Sequence, residues 1–177
     1  VVEALARVGI GNFMLIDHDT VDVTNINRQM LATHNNIGQK KTQAAKKRIL
    51  SINPDAEIIT EDRFYLPEES DFVYEYNPDI VIDAIDTVTA KLHLAKSCFD
   101  KKIPLIMCLG TGNRLDPTKL TIGDIKDTAN GSGCPLARVM RRELAKRGVT
   151  SQTVLYSLET AKKVTLPESE NGRHSPG

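Results

Sequence analysis

The feature that most constrains the fold is an alternation of short apolar runs with segments of helical periodicity. The runs that predict strands are Phe13–Asp17, Glu57–Glu61, Asp79–Ile85, Pro104–Leu109, Leu120–Ile125 and Gln152–Ser157. The segments that predict helices are Val1–Val8, Gly38–Asn53, Val88–Asp100 and Pro135–Arg147. Strands that are apolar along their whole length are typical of parallel sheets covered by helices on both faces. The sequence therefore predicts an α/β, doubly wound fold with a mostly parallel sheet.

Composition excludes several classes of protein. The 177 residues include 23 Lys plus Arg and 23 Asp plus Glu, so the overall charge indicates neither a nucleic-acid nor a membrane partner. Aromatic residues make up only 5%, which argues against a base-stacking platform. The three cysteines (Cys98, Cys108 and Cys134) form no Cys-x-x-Cys pair, which argues against a zinc ribbon or a disulfide scaffold. Without a long apolar run or a signal peptide, we expect a cytoplasmic location.

Both ends of the chain predict a fragment of a longer protein. The chain begins without Met, inside the predicted helix Val1–Val8, and stops in the loop-like sequence Ser175-Pro176-Gly177. We expect one domain over residues 1–177 that is truncated at both ends. The sequence does not decide whether a membrane-associated segment follows it.

Polar residues that follow the strands are the candidate ligand contacts, because ligands of doubly wound folds bind beyond the carboxyl ends of the strands. Asp17 ends the first strand, where an acidic side chain contacts a nucleotide ribose or simply forms a turn. The segment Asn25–Gln29 (NINRQ) places four donor-bearing side chains in five positions, and Arg28 suits phosphate oxygens. The alternative for this segment is a solvated loop with Asx turns.

Lys41 lies in the first turn of a predicted helix, where the helix dipole disfavours a cation. It also continues the inward stripe of Ala45 and Ile49. A lysine that points inward there indicates a nearby anion, and the alternative is a side chain that reaches outward to solvent. We expect its neighbour Lys40 to face solvent.

Asp86 follows the strand Asp79–Ile85 and precedes Thr87. Its carboxylate suits Mg²⁺ held through water or the orientation of a reacting group, and the alternative is a helix N-cap. Two carboxylates and two cations on successive loops, at the same edge of one sheet, favour ATP with Mg²⁺ over NAD.

Four motifs resemble those of a known superfamily. They are Leu15-Ile16-Asp17-His18-Asp19, Asn25-Ile26-Asn27-Arg28-Gln29, Gly38-Gln39-Lys40-Lys41 and Ile82-Asp83-Ala84-Ile85-Asp86. In order and spacing they resemble the adenylating enzymes of the ThiF/MoeB/HesA type, which are related to ubiquitin-activating enzymes. The resemblance implies a Rossmann-like domain, here without its first strand and glycine-rich loop, and a homodimer.

The same resemblance implies a set of nucleotide contacts. Asp17 would bind the ribose, and Asn25, Arg28 and Lys41 the phosphates. Asp86 would bind Mg²⁺ or the reacting phosphate. Gln29 and Thr87 belong to the same cofactor-binding set, and the catalytic residues implied are Arg28, Lys41 and Asp86.

The second half of the chain resembles one branch of that superfamily, the tRNA threonylcarbamoyladenosine dehydratases. The matching stretches are Asp116-Pro117-Thr118, Asp124-Ile125-Lys126-Asp127-Thr128, Cys134-Pro135-Leu136-Ala137-Arg138 and Arg147-Gly148-Val149. The resemblance implies ATP-dependent dehydration of threonylcarbamoyladenosine in tRNA through an acyl-adenylate. Sulfur-carrier adenylators typically have two zinc-binding Cys-x-x-Cys pairs, so no zinc is expected. Two alternatives stay open: adenylation of the C-terminal glycine of a ubiquitin-like sulfur carrier, and a catalytically silent nucleotide-binding partner of a cysteine desulfurase.

A basic helix is the candidate tRNA surface. Arg138, Arg142 and Lys146 share one face of the segment Pro135–Arg147, and Arg141 flanks them. The apolar face holds Leu136, Met140 and Leu144. The basic face either follows phosphates or is a solvated surface on which Glu143 partly balances the charge.

The cysteines are weaker candidates. Cys134 precedes the same helix, where a thiol pKa is lowered in many proteins, but adenylation and cyclisation need no thiol. We expect Cys98 and Cys108 to be core thiols.

Overall fold

A computed structural model of the protein describes residues 1–162; the loop predicted at residues 175–177 lies outside them. The chain divides into two compact units, Val1–Leu66 and a second that begins at Pro67. The helices are α1 (Val2–Arg7), α2 (Lys41–Leu50), α3 (Asp71–Glu75), α4 (Val88–Lys101) and α5 (Pro135–Lys146). The strands are β1 (Asn12–Ile16), β2 (Glu57–Glu61), β3 (Val81–Asp83), β4 (Leu105–Cys108), β5 (Leu120–Asp124) and β6 (Thr153–Ser157).

The first unit is a two-stranded parallel sheet packed against helices. Strands β1 and β2 pair from Asn12 beside Glu57 to Ile16 beside Glu61. The core formed with α1 and α2 contains Ala6, Phe13, Leu15, Ala45, Ile49, Ala56 and Ile58. The predicted inward stripe of α2 is thus confirmed. The polar stretch after β1 holds two short 3₁₀ turns, Val23–Asn25 and His34–Asn36.

The second unit is built on a four-stranded sheet in the order β3-β4-β6-β5. Strands β3, β4 and β6 are parallel, and β5 runs antiparallel to β6 at one edge. An antiparallel edge strand is common on parallel sheets. Helices α4 and α5 pack against one another, and the residues with no exposed surface in this unit include Met107, Met140, Leu144 and Val154. The prediction of α/β architecture with mostly parallel strands is confirmed.

Helix α2 covers Lys41–Leu50 and is three residues shorter at each end than the predicted segment Gly38–Asn53. Two further elements differ from the sequence-based expectation by more than one residue. Strand β3 covers only Val81–Asp83, because it pairs with β4 over three residues at the edge of the sheet. Helix α3 (Asp71–Glu75) was not predicted, since five residues are too few to establish a helical period. The shortened β3 leaves Asp86 three residues beyond the strand, in the connection to α4.

Candidate functional site

The acidic residues after β1 form a tight turn. Asp17 follows the last strand residue and is half-buried, and its Oδ1 accepts a hydrogen bond from the Asp19 backbone N–H over 2.9 Å. His18 Nε2 lies 2.9 Å from Asp19 Oδ1. The ligand atoms of Asp17, His18 and Asp19 lie within 4.8 Å of one another. Asp17 Oδ1 and both carboxylate oxygens of Asp19 have partners within the chain, so we assign no metal to this cluster.

Lys41 points inward, as predicted, and its anion is part of the protein. The side chain is 13% exposed, and its Nζ lies 2.6 Å from Asp19 Oδ2. The Lys41 backbone N–H also donates to the Asp19 carbonyl oxygen over 3.0 Å. The hydrogen bond from Lys41 is the main cause that lowers the pKa of the Asp19 carboxyl below its usual value. Lys40 is exposed, also as predicted, and its Nζ donates to the His18 carbonyl oxygen.

The Asn25–Gln29 loop is held by local hydrogen bonds. Asn25 is buried and its Oδ1 accepts from the Asp22 backbone N–H over 3.1 Å. The exposed Arg28 donates from Nη1 to the Thr24 carbonyl oxygen over 2.7 Å and to Asn27 Oδ1 over 3.0 Å. Gln29 is half-buried, and its backbone N–H donates to the Asn25 carbonyl oxygen. The capped turns of the alternative interpretation, a solvated loop, are therefore present. They hold the backbone from which the Arg28 side chain extends.

Asp86 and Thr87 lie in the connection from β3 to α4, and both are exposed. Thr87 occupies the N-cap position of α4, without a side-chain capping bond, so the N-cap alternative for Asp86 is wrong. Within residues 1–162 the Asp86 carboxylate accepts no hydrogen bond. An exposed carboxylate in this state is open to a cation or to a ligand.

A buried ion pair beneath that connection was missed by the sequence reasoning. Lys91 Nζ lies 2.9 Å from Asp83 Oδ2, and both side chains are fully buried. The same ammonium donates to the carbonyl oxygens of Ile85, over 3.0 Å, and Cys108, over 2.8 Å. Asp83 Oδ1 accepts from the Ile85 backbone N–H over 2.8 Å. Lys91 thus ties the ends of β3 and β4 to the segment that leads to Asp86.

The pKa of the Asp83 carboxyl is raised, because loss of hydration outweighs the attraction of Lys91. Its Oδ2 accepts no hydrogen bond in the described part of the chain, although the ion pair is close. A signal for Lys91 existed in the sequence: it lies on the stripe of Leu94, Ala95 and Cys98, all buried. A lysine on an apolar stripe, after an aspartate in an apolar strand, predicts such a pair.

The basic helix is amphipathic as predicted. Arg138, Arg142 and Lys146 are exposed, whereas Met140 and Leu144 are buried. Arg141, predicted beside them, is half-buried and donates to Thr128 Oγ1 over 2.8 Å.

Glu143 binds three of the surrounding cations. It pairs with Lys146, Arg147 and Arg142 at 3.0, 3.0 and 2.9 Å, and their hydrogen bonds lower the pKa of its carboxyl to about 2. Among the described residues, Arg138 has no charged partner. Glu143 offsets only one of these three positive charges, so α5 keeps a net positive charge along its exposed face.

Residues 1–156, which make up most of the sequence, match the ThiF family.

The chain belongs to the ThiF family.

The relatives of this ThiF-family chain include a tRNA threonylcarbamoyladenosine dehydratase of Bacillus subtilis, 44% identical over 159 residues. The match covers 89% of this chain and 61% of the relative, so the chain spans less than two thirds of that protein. Two crystal structures of the Escherichia coli enzyme TcdA, in complex with AMP and with ATP, are 36% and 37% identical to it. They superpose with TM-scores of 0.83 and 0.79 over 90% of this chain and 68% of theirs.

The cysteines of this ThiF-family chain are placed as core thiols rather than as a reactive group. Cys98 is buried, and burial raises the pKa of its thiol to about 11. Cys108 is half-buried, and burial raises its thiol pKa as well. Cys134 is buried at the N-cap of α5. Across residues 1–162 no helix has the length and apolar character that crossing a bilayer requires.

Proposed function

We propose that the protein carries out ATP-dependent dehydration of threonylcarbamoyladenosine in tRNA. The observation that carries this proposal is the 44% identity, over 89% of the chain, to a dehydratase of that name. A carboxylate oxygen of the substrate attacks the α-phosphorus of ATP and pyrophosphate leaves. A nucleophilic atom of the same modified side chain then attacks the acyl carbon, releases its proton and expels AMP, which carries away the carboxylate oxygen. The modified base has then lost one water in total.

The proposed ATP contacts in the first unit are those expected from the motifs. Asp17 binds the ribose, and Asn25, Arg28, Gln29 and Lys41 bind the phosphates. Support comes from the ammonium of Lys41 and the guanidinium of Arg28, which supply charge-assisted donors of the kind phosphate oxygens accept. As negative charge develops on the phosphate, these cations stabilise the transition state.

Asp86 and Thr87 are the proposed contacts in the second unit. A carboxylate that is exposed and accepts no hydrogen bond within the described residues fits Mg²⁺, which takes one or two carboxylates and keeps several waters. The magnesium ion, when bound, neutralises charge on the phosphates. The part played by this chain is to hold the Asp86 carboxylate at the start of α4, above the buried Lys91.

We further propose that residues 1–177 are one ThiF-type adenylation domain of a longer, cytoplasmic, homodimeric protein. Its strands would belong to one doubly wound, Rossmann-like sheet that lacks its first strand and glycine-rich loop. Support comes from the superposition on TcdA over 90% of the chain and from the 61% coverage of the Bacillus subtilis relative. Analytical ultracentrifugation of the full-length protein tests the dimer.

The proposed tRNA surface is the exposed face of α5, with Arg138, Arg142 and Lys146, flanked by Arg141. Cations on one helix face contact phosphates and position the RNA without reading its sequence. Arg138 supports this best, because it has no charged partner among the described residues.

The deciding experiment measures AMP. The full-length protein is incubated with Mg²⁺, ATP and either tRNA that carries threonylcarbamoyladenosine or a ubiquitin-like sulfur carrier. AMP with the tRNA alone supports the proposal, and AMP with the carrier alone replaces it by sulfur-carrier activation. AMP with neither, together with ATP binding, leaves a nucleotide-binding partner of a cysteine desulfurase.

A melting experiment tests the nucleotide independently of the second substrate. ATP with Mg²⁺ at a hundredfold excess over its Kd should stabilise the native state by about 2.7 kcal/mol. NAD should give no shift. A shift with NAD and none with ATP would contradict ATP as the nucleotide of this protein.

A further inference from the structure

Asp19 connects Asp17, the proposed contact of the ATP ribose, with Lys41, a proposed contact of the ATP phosphates. Its backbone N–H donates to Asp17 Oδ1 over 2.9 Å, and its Oδ2 lies 2.6 Å from Lys41 Nζ. Its carbonyl oxygen accepts from the Lys41 backbone N–H over 3.0 Å. Asp19 is therefore bonded to the ribose candidate on one side and to the phosphate candidate on the other.

The Lys41 ammonium lies at the N-terminal end of α2, a position that the helix itself disfavours for a cation. Lys41 is the first residue of α2, and a cation at that end is disfavoured by the helix dipole. Its flexible side chain also loses conformational freedom when it is fixed in one place. The pKa of Asp19 is lowered mainly by the hydrogen bond from Lys41, so this carboxylate is charged at neutral pH and compensates both effects.

The Lys41 ammonium keeps hydrogen-bond donors for a phosphate while it is paired with Asp19. An ammonium carries three protons, and Asp19 takes one of them. Asp19 is the only hydrogen-bond acceptor of Lys41 Nζ within residues 1–162. Two protons thus stay available to phosphate oxygens while Asp19 keeps its contact. The Asp19 side chain is 48% exposed and the Lys41 side chain 13%, so solvent reaches the pair mainly on the side of Asp19.

We propose that Asp19 is a positioning residue, which holds the Lys41 ammonium in register with the Asp17 carboxylate before ATP arrives. This inference rests on the proposed function, because it takes Lys41 and Asp17 to be nucleotide contacts. Asp19 acts through them and touches no reacting atom. ATP then meets a preformed set of groups, and less of its binding free energy is spent on ordering a lysine.

The first test needs no ATP. Amine acylation of the folded full-length protein, read at each lysine by mass spectrometry, reports how far each ammonium is protected. Asp19→Ala should raise the reactivity of Lys41 severalfold relative to the exposed Lys40 in the same protein. Asp22→Ala is the matched control, because Asp22 lies in the same loop and bonds Thr24 instead of Lys41. It should leave the reactivity ratio unchanged.

The second test is ATP binding and turnover in the same variants. Asp19→Ala should raise the Kd for ATP about tenfold, the effect of losing one charge-assisted contact that orders Lys41. Its kcat at saturating ATP should change much less than its KM. Asp19→Asn keeps an oxygen acceptor for the ammonium, so it should bind ATP within about threefold of wild type. This variant also keeps the test sharp if Asp19→Ala fails to fold.

Two results would overturn the proposal. Unchanged Lys41 reactivity in Asp19→Ala would show that Asp19 does not hold the ammonium. A lower or unchanged Kd for ATP in that variant would show that Asp19 competes with the phosphate or has no influence on it. If the wild-type protein binds no ATP, but Lys41 becomes more reactive in Asp19→Ala, the proposed function is wrong. The positioning of Lys41 by Asp19 is then still supported.

Discussion

The two units each place a lysine–aspartate pair at the carboxyl end of a parallel strand, and the two pairs differ in their access to water. Beyond β1, Lys41 contacts an Asp19 that is 48% exposed. At the last residue of β3, Lys91 contacts an Asp83 that is fully buried. An exposed pair costs little to separate and is open to a ligand, whereas a buried pair leaves a stranded charge when one partner is lost. We therefore expect the exposed pair to serve the proposed ATP site and the buried pair to serve stability.

The comparison is tested most strongly by breaking the buried pair. Lys91→Met leaves Asp83 as an uncompensated buried carboxylate, so we expect the free energy of unfolding to fall by about 3–5 kcal/mol. Urea denaturation measures it. Lys96→Met removes an exposed pair with Asp100 on the same helix and should cost less than about 1 kcal/mol.

A second variant separates charge from packing. Adding Asp83→Leu to Lys91→Met removes both charges, and it should recover part of the lost stability. Recovery is incomplete because the carbonyl oxygens of Ile85 and Cys108 lose their donor. A double variant less stable than Lys91→Met would show that the stranded charge is not the cause.

Changes at the proposed ATP site should lower activity strongly and stability little. Lys41→Ala and Asp86→Ala should each lower the rate of AMP formation by about 10²–10³-fold, as loss of a group that stabilises transition-state charge does. Arg28→Lys should also be strongly impaired, since an ammonium does not reproduce the guanidinium fork. Thermal melting should stay close to wild type in all three. Near-normal turnover in Lys41→Ala or Asp86→Ala would contradict the site assignment.

The surface of α5 extends the comparison to exposed charges. Arg138→Glu with Arg142→Glu should weaken tRNA binding, and each lost phosphate contact lowers the slope of log K against log salt by roughly one. Since Glu143 already engages Arg142, we expect Arg138→Glu alone to account for most of the change. ATP affinity should not change. Equal tRNA binding across a salt titration would exclude this face and favour the sulfur-carrier alternative.

The smallest effect concerns Glu3, which pairs with Arg7 of α1 and Arg48 of α2. The hydrogen bonds from Arg48 and Arg7 lower the pKa of Glu3 from 4.5 to about 2. Its contribution to stability is therefore present above pH 4.5 and is lost as the pH falls towards 2. The difference in melting temperature between wild type and Glu3→Gln should shrink over that interval. A difference that stays constant there would mean that ionisation of Glu3 is not its source.

Much of the fold was predictable because apolar runs and helical stripes are local signals. Strand β2 has the bounds predicted for it, and α4 and α5 differ from prediction by one residue each. Contacts that join distant parts of the chain were not predictable in this way. Asp19 and Lys41 meet across a polar loop, and nothing near Asp19 marks it as the anion that Lys41 requires.

Two cations show why burial is harder to predict than position. Lys91 was overlooked because a lysine on a helix is usually solvated, and only packing in the second unit buries it. Arg141 was placed beside the basic face of α5, but its guanidinium reaches Thr128, which a 3₁₀ turn brings to the helix. The apolar stripe of α4 was a usable signal for Lys91, whereas the partner of Arg141 is set by tertiary structure and periodicity does not find it.

The order β3-β4-β6-β5 has a consequence for how the protein is made. Strand β6 lies between β4 and β5, yet it is the last of the four to leave the ribosome. At a synthesis rate of about 5–20 residues per second, β5 waits for a few seconds before its pairing partner exists. During that interval β4 has an open edge, and β5 has no strand with which its backbone N–H and C=O groups can pair. Since unpaired strand edges promote pairing between chains, we expect the nascent chain to be more prone to aggregation before β6 is translated than after it.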